Sequence, residues 1–261
     1  MILLRRIVIA SFLAVGLAHP AQAATLLWIG NDTNAGAGAL ETTTSGTVVR
    51  TIPGIPAQGF GVDVVNGILY VNSNFGEAER YDLATLAPLG SPVSFGGVVS
   101  EDLSFDGTNL LVGDFGGGNI LRIDPTTGTV VSSVPVGYTP LGLTWDGGTG
   151  FWATPFASGG AVTHYDAAGN VLSSFVPFPN TYAGGLGYDP SDGTLFVGTF
   201  SAVYHYTTAG VLIDSFSTPD ARFIDGLEAY VSGPVIPEPA SLLLFGTGAA
   251  MLVRRARRRV R

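Results

Sequence analysis

The 261-residue chain contains no cysteine and no lysine. Without cysteine, disulfide staples, thiolate catalysis and cysteine-held zinc are excluded, so the fold must stand on a packed core. All 12 basic residues are arginines, and most lie at the extreme ends: Arg5, Arg6, and the six between Arg254 and Arg261. Only Arg50, Arg80, Arg122 and Arg222 stand between those ends, against 19 acidic residues once Glu238 is set aside from the 20. Such an acidic body repels nucleic acid, and anionic polysaccharide too unless divalent cations intervene. Histidine is nearly as scarce, with only His164 and His205 beyond the first 23 residues. Glycine, by contrast, numbers 37, and hydrophobic residues make up 46% of the chain. That balance reads as turn-rich β structure with a filled core rather than disorder.

The N-terminus joins Arg5 and Arg6 to an apolar stretch from Ile7 to Leu17 and then to Ala21-Gln22-Ala23. A basic start, a short apolar core and a small-x-small site predict a helical signal peptide over 1–23, cut by signal peptidase to leave Ala24 first. An uncleaved anchor is the alternative, and its core is short for one. The polar context favouring twin-arginine export is missing around Arg5-Arg6, so the general route is expected.

At the other end, Pro237-Glu238-Pro239 precedes an apolar run from Ala240 to Val253, followed by Arg254, Arg255, Arg257, Arg258, Arg259 and Arg261. The prolines hold an extended recognition segment, and the arginines stay cytoplasmic by the positive-inside rule. The run of about 14 residues is shorter than the roughly 20 of an ordinary span, so this transmembrane helix must recruit its flanks or thin the bilayer. A buried core helix is the alternative, opposed by six arginines with no acidic partner beside them. The order of elements resembles the PEP-CTERM sorting signal of Gram-negative bacteria. That resemblance implies processing by an exosortase near Pro237 or Pro239, transient inner-membrane anchoring, and delivery to the cell surface or extracellular matrix. It also links the chain by association to exopolysaccharide and biofilm. The chain divides into a signal peptide (1–23), a body (24–232) and a sorting segment (233–261).

The body repeats at about forty residues. Val65-Asn66-Gly67 leading to Leu69-Tyr70-Val71 recurs as Phe105-Asp106-Gly107 to Leu110-Leu111-Val112, as Trp145-Asp146-Gly147 to Phe151-Trp152-Ala153, and as Tyr188-Asp189 to Leu195-Phe196-Val197. Each is a strand, a tight turn and a second strand. Third strands are expected at Glu79–Tyr81, Ile120–Ile123, Val162–Tyr165 and Val203–Tyr206. Fourth strands are expected at 129–133, 171–175 and 211–216, and less clearly at 86–93. Four strands at this period predict an all-β fold, a five-bladed β-propeller. Leu26–Ile29, Ala39–Thr43 and Val48–Ile52 supply three strands of the last blade, and Gly226–Tyr230 supplies its innermost one, closing the ring. The repeats resemble those of NHL, YVTN and lactonase-type propellers; a β-sandwich is the structural alternative.

In a propeller, the loops between second and third strands and those between blades open on one face, around the channel. Phenylalanine recurs in the first set, at Phe75, Phe115, Phe156 and Phe200, as a packing residue between blades or, alternatively, an aromatic ligand platform. The interblade loops add Glu101, Asp102, Tyr138, Asn180, Tyr182, Asp220, Arg222 and Asp225. Carboxylates and amides around a channel suit calcium, which takes several oxygen ligands, and lactonase-type propellers place such ligands there. Asn72, Glu101, Asp102, Asp114 and Asp225 are the candidate set, although no Asp-x-Asp-x-Asp-Gly loop occurs. His164 and His205 fall at the third-strand position that Arg80 and Arg122 hold elsewhere, which makes them repeat residues rather than bases. Phe115-Gly116-Gly117-Gly118 lacks the helix and lysine of a phosphate cradle.

Two functions remain: an exported, non-enzymatic binding scaffold, or an extracytoplasmic lactonase- or lyase-like enzyme with a calcium-supported channel. Either one depends on the tail. Glu238→Ala, or serines in place of the tail arginines, is expected to abolish surface delivery while thermal unfolding stays unchanged; undiminished surface delivery of both variants would show the tail to be inert.

Overall fold

The computed structural model describes residues 24–31, 37–53, 59–73, 76–218 and 223–232, and among these every regular element is a strand. The expected signal and transmembrane helices, the Pro-Glu-Pro motif and the arginine tail lie outside the described residues, as do Phe75, Asp220 and Arg222.

Twenty strands form five antiparallel blades of four. The closing blade joins β1 (Thr25–Asn31), β2 (Ala37–Thr43) and β3 (Val48–Pro53) to the last strand, β20 (Ile224–Val231). The second contains β4 (Gly59–Val65), β5 (Ile68–Ser73), β6 (Glu77–Asp82) and β7 (Val93–Ser94). The third has β8 (Leu103–Phe105), β9 (Leu110–Asp114), β10 (Asn119–Ile123) and β11 (Val130–Pro135). The fourth has β12 (Pro140–Trp145), β13 (Gly150–Pro155), β14 (Val162–Asp166) and β15 (Val171–Phe175). The fifth has β16 (Leu186–Asp189), β17 (Thr194–Gly198), β18 (Ala202–Thr207) and β19 (Leu212–Ser217). One backbone pairing, Asn31 with Gly59, links the closing blade to the second.

The weak fourth strand expected near Leu86 shrinks to two residues, Val93–Ser94, with a single bridge from Tyr81 to Pro88. Pro88 and Pro92 are the cause, since neither can donate to a ladder. Turn chemistry follows the sequence. Asn66 and Gly67 both take positive φ, 50° and 79°, the pair that a two-residue hairpin of type I′ requires.

Second strands are buried throughout, whereas β11, β15 and β19 face solvent along most of their length. The core is therefore five layers between neighbouring blades rather than one centre. Register places Val62, Leu103, Leu143, Leu186 and Leu227 of the innermost strands at equivalent positions, opposite Val71, Val112, Ala153, Val197 and Ile29. Each of the five enters a core layer or its immediate lining. Near the axis the strands approach so closely that a Cβ on Gly142 would stand 2.0 Å from the Gly184 carbonyl oxygen. Glycine is needed there for space, not for φ.

The ring closes as the sequence predicted. Leu26, Leu27, Trp28 and Ile29 pair with Tyr230, Ala229, Glu228 and Leu227, and the Ser232 amide donates to the Ala24 carbonyl at 2.9 Å. A buried clasp reinforces the seam. Glu41 of β2 is fully buried and accepts from the Tyr230 hydroxyl and from the Arg50 guanidinium, which also donates to the Leu83 carbonyl of the second blade at 2.6 Å. Arg50 lies 5.6 Å from the Trp28 ring centre, within cation–π range. Truncation before Phe223 is therefore expected to abolish cooperative unfolding, and truncation after Ser232 to leave it intact. Tyr230→Phe, which deletes one donor to a buried carboxylate, should cost about 1–3 kcal/mol. Chemical denaturation of the three chains checks this; equal midpoints would disprove the seam's role.

Candidate functional site

The axial channel is a polar seam. At one register level the innermost strands carry Asp63, Ser104, Thr144, Gly187 and Glu228, opposite Tyr70, Leu111, Trp152, Phe196 and Trp28. These short side chains tie each blade to the next. Ser104 donates to Asp63 and accepts the Trp145 amide at 2.9 Å, and Thr144 accepts the Tyr188 amide at 3.1 Å. Asp63 and Glu228 meet where the closing blade adjoins the second. Burial pushes the Asp63 carboxyl up to about 7. It raises Glu228 well above the ordinary range as well, helped by the charges of Asp63, Asp102 and Asp189. Ionising Asp63 therefore makes ionisation of the buried Glu228 more costly.

One step along the strands, Gly61, Gly142, Gly185 and Gly226 occupy equivalent positions, and the third blade has Asp102 instead. Its buried carboxylate accepts the amides of Leu103 at 2.9 Å, Leu143 at 3.0 Å and Leu186 at 3.3 Å. One aspartate thus satisfies edge donors of two other blades and fills the space that the glycines leave open. Desolvation raises its pKa, opposed by these bonds and reinforced by the charge of Asp225.

The sequence-derived metal set is therefore only partly assembled. Asp102 and Asp225 are buried and electrostatically coupled. Asn72 is buried and donates to the Ser100 carbonyl at 2.8 Å, while Glu101 is partly exposed. Asp114 caps a turn by accepting the Gly117 amide at 2.9 Å. Among the described residues no group of three or more His, Asp or Glu side chains is placed to hold a metal ion. Both Asp102 oxygens accept backbone amides, Oδ1 from Leu103 and Oδ2 from Leu143 and Leu186. The two histidines behave as repeat residues. His164 stacks on Trp152 at 4.3 Å and contacts Asp146 at 2.9 Å; His205 stacks on Phe196 at 4.2 Å and meets Thr194 at 2.7 Å.

At the mouth, the loops after β9, β13 and β17 and the segments between the last three blades raise a chain of aromatic rings. Phe115 meets Phe156 at 5.2 Å, Phe156 meets Tyr182 at 5.2 Å, Tyr182 meets Phe200 at 6.3 Å, and Phe200 meets Phe223 at 4.5 Å. Most contacts are edge-to-face, the arrangement that ring quadrupoles favour. Phe156 and Phe200 remain 45% and 48% exposed. Of the repeated phenylalanines, Phe115, Phe156 and Phe200 make ring contacts across blades, and Phe156 and Phe200 are also about half exposed.

The tail decides the identity of the whole. Residues 235–259 match the PEP-CTERM protein-sorting motif. The chain thus carries a PEP-CTERM sorting motif at its C-terminal end, and that motif implies an exported protein with a C-terminal membrane-anchoring segment and exosortase processing. No curated protein matches its sequence. The propeller is similar to a chain in the crystal structure of a nidogen/laminin complex, at 13% identity and a TM-score of 0.57, over 78% of this chain and 98% of that one. It also matches Myxococcus xanthus glutaminyl cyclase at 14% identity and a TM-score of 0.48, over 66% of this chain and 70% of that one. At these identities the likeness concerns the fold alone.

Asp63 and Glu228 lie on innermost strands rather than in loops, and no local motif marks them. The register alignment of the five innermost strands is the signal that exposes them. Their proton has a measurable consequence. An Asp63 pKa raised from 3.8 to about 7 contributes stability that is complete below about pH 4, declines as the unfolded chain ionises, and is gone above about pH 7. The turn aspartates Asp82, Asp124 and Asp166, lowered by their hydrogen bonds, act only below that window. The melting temperature is therefore expected to fall between pH 4 and 7, and Asp63→Asn or Glu228→Gln should flatten the fall and raise stability at pH 8. A wild-type profile flat over this range would refute the assignment.

Proposed function

We propose that this PEP-CTERM protein is a non-enzymatic binding scaffold, carried by exosortase processing to the outer surface or extracellular matrix of a Gram-negative bacterium. The observation that carries this reading is the state of the channel. Asp102, which a calcium-dependent hydrolase would need as a ligand, instead accepts three backbone amides, and Ser104 and Thr144 are likewise bonded to neighbouring blades. Side chains committed to blade-to-blade bonds favour a scaffold over a reacting centre. The lactonase- or lyase-like alternative would need that network to open.

The topology supports display. Strand β20 begins beside Phe223, at the mouth, and runs to Val231 on the opposite face, where β1 also begins. The chain therefore enters and leaves the propeller on the face away from the aromatic rings.

Mass spectrometry of the protein from its native host, fractionated into inner membrane, outer surface and matrix, tests the proposal. The mature form should begin at Ala24, end near Pro237–Pro239 and partition with surface or matrix. An intact tail found only in the inner membrane would defeat it.

A further inference from the structure

We propose that the aromatic arc at the channel mouth is a binding site for an uncharged polysaccharide strand. This rests on reading the protein as a surface scaffold, and adds the ligand and the residues that hold it.

The arc is continuous from the third blade to the closing blade, through Phe115, Phe156, Tyr182, Phe200 and Phe223. Backbone bonds fix its supports: the Phe115 amide donates to the Val99 carbonyl at 3.0 Å, the Phe156 amide to that of Thr139 at 2.8 Å, and the Phe223 amide to that of Phe200 at 2.7 Å. Phe223 is held at φ 57°, a left-handed conformation costly for a bulky side chain. Its backbone turns there so that the ring stands 4.5 Å from Phe200, at 88°. A packing role alone does not require half of Phe156 and Phe200 to stay in water.

Charge selects the ligand class. Residues 136–142, 154–162, 177–187 and 198–203, which build the arc around Phe156, Tyr182 and Phe200, contain no charged side chain. They do present the exposed neutral polar groups of Ser158, Asn180 and Ser201. Flat rings beside neutral amides and hydroxyls match a pyranose, whose C–H face carries partial positive charge toward the ring quadrupole while its hydroxyls need hydrogen-bond partners. An anionic polymer is repelled by the acidic body. A cationic ligand would find no carboxylate around Phe156, Tyr182 and Phe200, and only Asp114 beside Phe115 at the arc's end, which caps a turn by accepting the Gly117 amide. An anionic bilayer would find no arginine or lysine around Phe156, Tyr182 and Phe200.

The test is native electrophoresis of the full-length chain in mild detergent, through gels containing hydroxyethylcellulose, dextran, mannan, starch or the anionic polymer alginate. At least one uncharged polymer should retard the wild type, and alginate should not. The double variant Phe156→Ala/Phe200→Ala should lose about tenfold or more in apparent affinity, whereas Phe156→Tyr/Phe200→Tyr, which keeps both rings, should retain it; thermal unfolding confirms that each variant is folded. Retardation by none of the uncharged polymers, equal retardation of the alanine variant, or binding to phosphatidylcholine vesicles in place of the polymers would overturn the proposal. Surface delivery without polysaccharide binding would remove this inference and leave the scaffold reading standing, while retention in the inner membrane would remove that reading whatever the gels show.

Discussion

Hydrogen bonding between β1 and β20 turns a row of four-stranded sheets into a ring, and the rest of the molecule depends on that ring staying shut. Each blade buries its faces only against two neighbours, so a gap anywhere bares two core layers and an innermost edge. Bringing residue 25 to residue 231 costs on the order of 5 kcal/mol in chain entropy, because closure entropy grows only with the logarithm of length. The seam outweighs it readily. A ladder from Thr25–Val231 to Asn31–Ile224, the buried side chains of Leu27, Ile29 and Leu227, and the Glu41–Arg50–Tyr230 clasp all form together or not at all.

Closing five blades rather than more draws the innermost strands close around the axis. Glycine at Gly142 and Gly185 answers the crowding, since a Cβ on Gly185 would stand 2.5 Å from the carbonyl carbon of Gly226. Inward-facing amides then need acceptors, for a buried unsatisfied donor costs about 1–3 kcal/mol. Asp102, Ser104 and Thr144 supply them across blade boundaries. The channel residues are thereby part of the scaffold, and burial raises the pKa values of Asp63, Asp102 and Glu228.

Away from the axis, the loops at the mouth differ in character from the rest of the body. The body's lack of lysine leaves the propeller acidic, while the loops around Phe156, Tyr182 and Phe200 are uncharged and aromatic. Ala24 and Ser232 lie together on one face of the propeller, and the aromatic arc lies on the other. Strand polarity alone produces that separation, because every innermost strand leaves the mouth and the last one ends at the far side.

Much of this was legible in the chain itself. The forty-residue period, the Asp-Gly and Asn-Gly turns and the unmatched strands at each end specify five blades and their closure, because strand alternation and turn chemistry are local and repeat. The sorting tail is legible for the same reason: its meaning lies in the order of Pro-Glu-Pro, apolar run and arginines. Local sequence could also place His164 and His205 in a structural position, by comparison with Arg80 and Arg122. What it could not give is which loop and strand residues converge. Asp102 read as a calcium ligand until its oxygens were found on the amides of Leu143 and Leu186, 41 and 84 residues away, and Asp63 became the partner of Glu228 only through closure. The phenylalanines, singly ordinary, became an arc only when four blades were set side by side. Sequence determines each blade because its contacts are near in the chain; tertiary structure decides the channel and the mouth because their groups come from separate blades and meet only once the ring has closed.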